Sequence, residues 1–435
     1  MKAKIENEKI LAGDLGISTA PPGSPAGEPR PAEHDFVLYI PSDPEKGDET
    51  NQHVQVKSLG GDIFFANWTM SNLEGGDNQH IVVSRSEDGA KTWSKPVCVD
   101  GPDKDGHIAS WGFSVVVPAT GRIYLLYNKQ QGFVDFHHQW TGQLWFRYSD
   151  DSGKTWSRPY KHLKIGRNDY SHPDPDADPN WIVFQPPIVT SKGDVLAGFT
   201  HVGTRALSAG GDWADAWTSE CRFLRFDNIL TENDPEKLTI TTFPEGGHPG
   251  LRFPHPTNKK MSFMQEPAIA ELPDGRLFCV MRTMSGFIAY SISDDHGATW
   301  QEPDFLRYSS GGEKIPNPVV PCPIYRISGD RYLLLFYNNS GEANQGRSVL
   351  DWCRNRRPAW FSIGRPCKGA QPLEFGKPVV FADNDRIPIS RKQLTEIGTY
   401  PCVFEHKGKI HCFFSDRKHF VLGKILSEEL LAQSQ

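Results

Sequence analysis

The chain has 435 residues, with 47 basic and 53 acidic side chains and a net charge of −6. That balance excludes broad electrostatic binding to nucleic acid, which needs a basic face. The hydrophobic content of 37% is low for a helical protein, whereas 40 Gly and 34 Pro imply many turns and 25 Phe with 12 Trp supply the bulk of a large core.

Residues 1–35 are rich in Pro and Gly, as in Ala20-Pro21-Pro22-Gly23-Ser24-Pro25, and read as an extended arm; residues 36–435 read as one domain. The first residues lack the apolar core of a secretory leader, and no apolar run approaches the roughly 20 residues that span a bilayer. The expected location is the cytoplasm, or outside the cell after loss of a leader.

Beyond the arm, short apolar runs alternate with turns. Ile63–Ala66, Ile81–Val83, Phe113–Val117 and Ile123–Leu126 read as strands, as do Val195–Phe199, Leu333–Phe336 and Ile410–Phe414. Turns such as Pro273-Asp274-Gly275 separate them, giving hairpin after hairpin. Only the tail from Ser427 to Ala432 reads as helix. Eight Cys are scattered without a CxxC pair and are expected to be buried free thiols.

An internal repeat decides the fold class. Ser86-Glu87-Asp88-Gly89-Ala90-Lys91-Thr92-Trp93 returns as Ser149-Asp150-Asp151-Ser152-Gly153-Lys154-Thr155-Trp156 and as Ser293-Asp294-Asp295-His296-Gly297-Ala298-Thr299-Trp300, each followed closely by Pro. Ser and Asp can bond the backbone of a tight turn, Gly tolerates a positive φ, and Trp can pack beneath. The pattern resembles the Asp-box of sialidase-like BNR-repeat β-propellers. The boxes start at 86, 149 and 293, so a blade without a box is expected between the second and third. The resemblance implies an all-β fold, expected to be a six- or seven-bladed β-propeller with structural Asp-box turns. Six hairpin units are visible, and 227–265 could hide a seventh.

The same resemblance carries expectations about chemistry. Met264-Gln265-Glu266-Pro267 with Arg282 is similar to the sialidase segment that holds a glutamate and a carboxylate-binding arginine. Gly398-Thr399-Tyr400-Pro401 resembles the segment with the tyrosine nucleophile, a residue that the anionic sugar does not repel as it would a carboxylate. Where a sialidase opens its first blade with Arg-Ile-Pro, this chain has Gln52-His53-Val54; near the expected acid it has Asp77-Asn78-Gln79-His80. Histidines and tryptophans elsewhere, His107, Trp111 and His138 among them, suit a sugar with an apolar ring face and fixed hydroxyls. This inventory resembles the propeller branch acting on rhamnose–glucuronate termini of plant polysaccharides.

The resulting expectation is an exo-acting enzyme on an oligo- or polysaccharide with an acidic sugar, by elimination or hydrolysis at a rhamnose–α-1,4-glucuronate end. An exo-α-sialidase and a non-catalytic sugar-binding propeller are the alternatives. His80, His107 and Tyr400 are the catalytic candidates. His53, Gln79, Trp111, His138, Arg167, Glu266, Arg282 and Arg347 are the substrate-binding candidates. Strand alternation would place His137 and His138 on opposite faces, which argues against joint metal chelation. Asp174-Pro175-Asp176-Ala177-Asp178 lacks the spacing of a calcium loop, so no metal or cofactor is expected. A monomer is expected, without nucleic-acid or membrane partners.

Overall fold

A computed structural model of the chain describes residues 27–42, 47–207, 217–256, 258–339, 356–390 and 393–434. Most of the arm, Arg347 and Cys353 lie outside them. Among the described residues, no helix is long and apolar enough to cross a membrane, and the cysteines are free.

Six antiparallel sheets follow one another along the chain. The first holds β2 (Thr50–Ser58), β3 (Phe64–Ser71), β4 (His80–Ser86) and β5 (Val97–Asp100). The second holds β6 (Ala109–Val116), β7 (Ile123–Lys129), β8 (Gln143–Ser149) and β9 (Tyr160–Leu163). In the third, β10 (Trp181–Ile182) and β11 (Ile188–Val189) pair with β12 (Val195–Val202), followed by β13 (Ser219–Phe226) and β14 (Ile240–Phe243). The fourth holds β15 (Met264–Glu271), β16 (Leu277–Thr283), β17 (Ala289–Ser293) and β18 (Asp304–Phe305). The fifth holds β19 (Ile324–Ile327), β20 (Arg331–Phe336), β21 (Ala359–Pro366), β22 (Leu373–Phe375) and β23 (Val379–Ala382). In the sixth, β24 (Ile397–His406), β25 (Lys409–Asp416) and β26 (Phe420–Leu426) are joined by β1 (Phe36–Tyr39), which pairs Phe36 with Gly423. A strand from the start of the chain thus completes the last sheet and closes a six-bladed propeller. The 227–265 stretch supplies β14, the outermost strand of the third blade, and no seventh blade. The short helix α1 (Glu428–Ala432) follows, capped by Ser427.

The apolar core is divided among the blade interfaces. Val56, Phe64 and Trp68 of the first blade pack with Phe413 and Val421 of the sixth, and Phe65 and Ile81 pack with Ile123 and Leu125 of the second. A central strand therefore buries both faces, one toward each neighbouring blade. This explains the unbroken apolar text of Leu333-Leu334-Leu335-Phe336, where half-exposed strands would alternate.

All three boxes link the third and fourth strands of their blades. In the second, Ser149 Oγ donates to Asp151 Oδ1 at 2.7 Å and accepts from Gly153 N at 2.8 Å. Asp151 also accepts from the Thr155 amide and hydroxyl at 2.9 and 2.7 Å. The box tryptophans reach the preceding blade: Trp93 meets Phe413, Trp156 meets Phe65, and Trp300 stacks on Phe223 at 4.3 Å. The repeat is a staple between blades.

Candidate functional site

Four innermost strands carry the same distortion near their N-terminal ends. Pairing slips between Gln52 and Gln55 in β2, Ser110 and Phe113 in β6, Gln265 and Ala268 in β15, and Thr399 and Cys402 in β24. Inside each slip one non-glycine residue turns left-handed: His53 at φ 61°, Trp111 at 56°, Glu266 at 54° and Tyr400 at 54°. That conformation costs about 1–2 kcal/mol for an L-residue, so its recurrence marks positions held by their surroundings. Two of the amides are anchored by threonines of the preceding blade, Trp111 N to Thr69 Oγ1 at 3.1 Å and Glu266 N to Thr200 Oγ1 at 2.7 Å. The bulges break strand alternation and send the four side chains to one place.

There, Tyr400 Oη donates to Glu266 Oε1 at 2.9 Å, and Arg282 Nη1 reaches Glu266 Oε2 at 2.9 Å. The ring of His53 lies 5.3 Å from Trp111 and 6.0 Å from Tyr400, centre to centre, and Trp111 lies 5.5 Å from Tyr400. Phe184 of the third blade adds a further ring 6.1 Å from Tyr400. All five residues from the sequence motifs, His53, Trp111, Glu266, Arg282 and Tyr400, are at most 5% exposed. Burial, followed by the charge of Glu266, pushes the Tyr400 phenol well above its usual range, against the pull of Arg356 and Arg282. Burial lowers His53 to about 4, and its bond to the Phe184 carbonyl offsets part of that.

A buried charge layer lies behind Tyr400. Lys418 Nζ binds Glu74 at 2.7 and 2.8 Å, approaches Glu396 at 3.5 Å, and stands 5.7 Å over the Tyr400 ring. Arg356 Nη1 meets Glu396 Oε2 at 2.8 Å. Lys418 sits on a tight turn in which Arg417 and Lys418 both have positive φ, 57° and 50°, and His419 N bonds back to Asp416 O. Such turns favour Asn-Gly; here two cations occupy them and are folded inward. The sequence reading missed Lys418, Glu74, Glu396, Arg356 and Phe184. The Asp416-Arg417-Lys418-His419 turn between two strands was the one local signal available.

The remaining candidates lie elsewhere. His80 begins β4, a third strand and so about 10 Å of strand spacing out from the inner one, and its Nδ1 donates to Asn78 O at 2.8 Å. Burial lowers its pKa. His107 lies on the loop between blades one and two, with Nδ1 3.1 Å from Asp103 Oδ2. Together with Asp105 they form a grouping of potential ligand atoms within 4.8 Å of one another, on an exposed loop and without contact to Tyr400. The structure therefore does not assemble His80, His107 and Tyr400 into one constellation. Gln79 Nε2 reaches Gln139 Oε1 at 3.4 Å and His138 Nε2 bonds the Gly75 carbonyl, joining the Glu74 loop to the second blade. His137 and His138 occupy a turn and not a strand, and their rings stack at 4.7 Å, so the alternation argument does not apply to them. Arg167 is bound to the carbonyls of His172, Asp174 and Ala177 and staples its own loop.

The protein family described as a BNR repeat-like domain matches residues 62–362. No curated protein matches the chain by sequence. Among solved structures, the Hadza microbial sialidase Hz136 is similar at 16% identity and a TM-score of 0.57, over 88% of this chain and 67% of that one. The intramolecular trans-sialidase of Ruminococcus gnavus, solved with oseltamivir carboxylate, is similar at 14% identity and 0.57, over 95% and 99%. A protein of unknown function from Dyadobacter fermentans is similar at 13% identity and 0.60, over 91% and 98%. At these identities the likeness is one of fold.

Proposed function

The chain belongs to the BNR repeat-like domain family, and from that premise we propose that it is a glycoside-processing enzyme acting on a terminal acidic sugar through Tyr400 and Glu266. The observation carrying this reading is the continuous contact from the Tyr400 hydroxyl through Glu266 to Arg282. A phenol buried this deeply does not ionise alone. Its proton must pass to Glu266 as its oxygen attacks the anomeric carbon and the bond from that carbon to the aglycone oxygen breaks. The aglycone departs, protonated by water, and leaves a tyrosyl-glycoside that water or an acceptor hydroxyl then resolves while Glu266 returns the proton to Tyr400. Arg282 holds Glu266 in place, and Arg282 and Arg356 bring positive charge toward the phenolic oxygen, where negative charge develops. A sialoside fits this arrangement best. A fluorogenic aryl sialoside tests it: turnover by the wild type that vanishes in Tyr400→Phe supports the reading, and turnover that survives the substitution rules it out.

A second reading keeps the rhamnose–glucuronate terminus. It is favoured by uncharged His53 in the region where the resemblance would put an arginine, which turns a uronate carboxylate toward Arg282. Glu266 would take the Tyr400 proton, the resulting phenolate would abstract the proton beside that carboxylate, and the bond to the substituted oxygen would break as the proton on Glu266 passes to the departing sugar. Incubation with a rhamnose-capped arabinogalactan would produce enoate absorbance; neither enoate nor free rhamnose would dismiss this alternative.

A further inference from the structure

His53 and Trp111, whose rings lie 5.3 Å apart, each carry a hydrogen-bonding atom that nothing among the described residues satisfies. His53 Nε2 lies 2.7 Å from the Phe184 carbonyl oxygen. A carbonyl only accepts, so Nε2 carries the proton and Nδ1 is left with a lone pair. Among the described residues, His53 Nδ1 is buried without a hydrogen-bond partner, and so is the indole nitrogen of Trp111, which can only donate. Both side chains are more than nine-tenths buried. Both are held inward by left-handed backbone, and both rings border Tyr400. The hydrogen-bond and ring partners of His53 among the described residues are Phe184, Gln55, Trp111 and Tyr400. None is a carboxylate, and burial keeps the ring neutral. Buried polar groups left unpaired destabilise a fold and are retained where a partner arrives.

We propose that His53 Nδ1 and Trp111 Nε1–H together bind one hydroxyl group of the substrate, which donates to the histidine and accepts from the indole. A hydroxyl is the common sugar substituent that does both with one oxygen. A carboxylate would meet the lone pair of Nδ1 with its own and be repelled. The wall on the side of the first two blades is thus specific for a neutral hydroxyl, and any acidic group of the sugar faces Arg282. This inference rests on the proposed sugar chemistry at Tyr400 and adds which face of the sugar turns toward which blade.

The test is nitrogen NMR of the full chain carrying 15N-labelled histidine, titrated with N-acetylneuraminic acid, D-glucuronic acid and L-rhamnose. The Tyr400→Phe protein is used so that no turnover intervenes. The free protein should show His53 as the Nε2–H tautomer at pH 7. At least one sugar should move the Nδ1 resonance in the direction of an accepted hydrogen bond while Nε2 stays in place. Trp111→Phe, which keeps a ring and removes the donor, should weaken that sugar about tenfold with the melting temperature of the fold retained. An imidazolium or Nδ1–H tautomer at pH 7, or a His53 spectrum unmoved by every sugar, overturns the proposal. Aryl-sialoside turnover is scored separately. Movement of Nδ1 without turnover leaves the hydroxyl site standing and removes the catalytic reading; turnover with His53 unmoved does the reverse.

Discussion

Tyr400 and Glu266 are 134 residues apart in the chain and 2.9 Å apart in space, hydroxyl to carboxylate. One belongs to the sixth blade and the other to the fourth, and each reaches the contact from a left-handed bulge of an inner strand. The bond joins the phenol that would attack to the base that would take its proton, and Arg282 occupies the other oxygen of that base.

Removing either partner should abolish turnover by different routes. Tyr400→Phe deletes the nucleophile and keeps the ring packed; Glu266→Gln keeps an acceptor for Arg282 and loses the base. Each is expected to lower kcat on an aryl sialoside by at least about a hundredfold, the low end for a positioned proton acceptor. Steady-state kinetics on protein with a wild-type melting profile checks it.

Arg282→Lys retains charge and loses the planar fork. If Arg282 grips a substrate carboxylate, affinity should fall by roughly 1.5–3 kcal/mol, the range for a hydrogen bond to a charged group. A lowered melting temperature with unchanged kinetics would assign Arg282 to the stability of the fold, and neither to the substrate nor to positioning the base.

His53 should make the fold acid-sensitive. Its pKa is about 4 in the folded chain against 6.5 ordinarily. The contribution of the neutral buried ring is therefore fully present above pH 6.5 and is lost as pH falls through 4. The shift corresponds to on the order of 3 kcal/mol. Urea unfolding of wild type and His53→Gln at several pH values should show the wild-type advantage shrinking by that amount on acidification; a constant difference would contradict it.

Lys418→Met should remove the cation that binds Glu74 at 2.7 and 2.8 Å. Breaking such a pair costs about 3–5 kcal/mol. The double variant with Glu74→Gln should recover part of that, and a double-mutant cycle from denaturant midpoints measures the coupling. Strict additivity would show that the two residues do not act together.

Ser149→Ala should affect stability and leave catalysis alone. It deletes the acceptor of the Gly153 amide inside the second box, at a cost of about 1–3 kcal/mol for an unsatisfied buried donor. A loss of aryl-sialoside turnover by folded protein would mean that the box does more than staple blades.

The sequence alone determined the features that depend on neighbours in the chain. Three boxes of Ser, Asp, Gly and Trp specify three identical turns, because each closes its hydrogen bonds within five residues. Their starts at 86, 149 and 293 placed a blade without a box between the second and third, and Glu266, Arg282, Tyr400, His53 and Trp111 were legible as candidates. Tertiary structure decided how many blades there are, because β14 is an outer strand and β1 closes the ring from the far end of the chain. It also decided which candidates meet. His80 and His107 have suitable chemistry, yet one stands on a third strand and the other on a loop between blades. Lys418, Glu74, Glu396 and Arg356 come from separate loops, and no periodicity within any one of them announces that they share a charge layer. Which way a side chain on an inner strand points depends on whether its backbone bulges to positive φ. That choice is held by residues such as Thr69 and Thr200 on the neighbouring blade, and those neighbours exist only once the ring has closed.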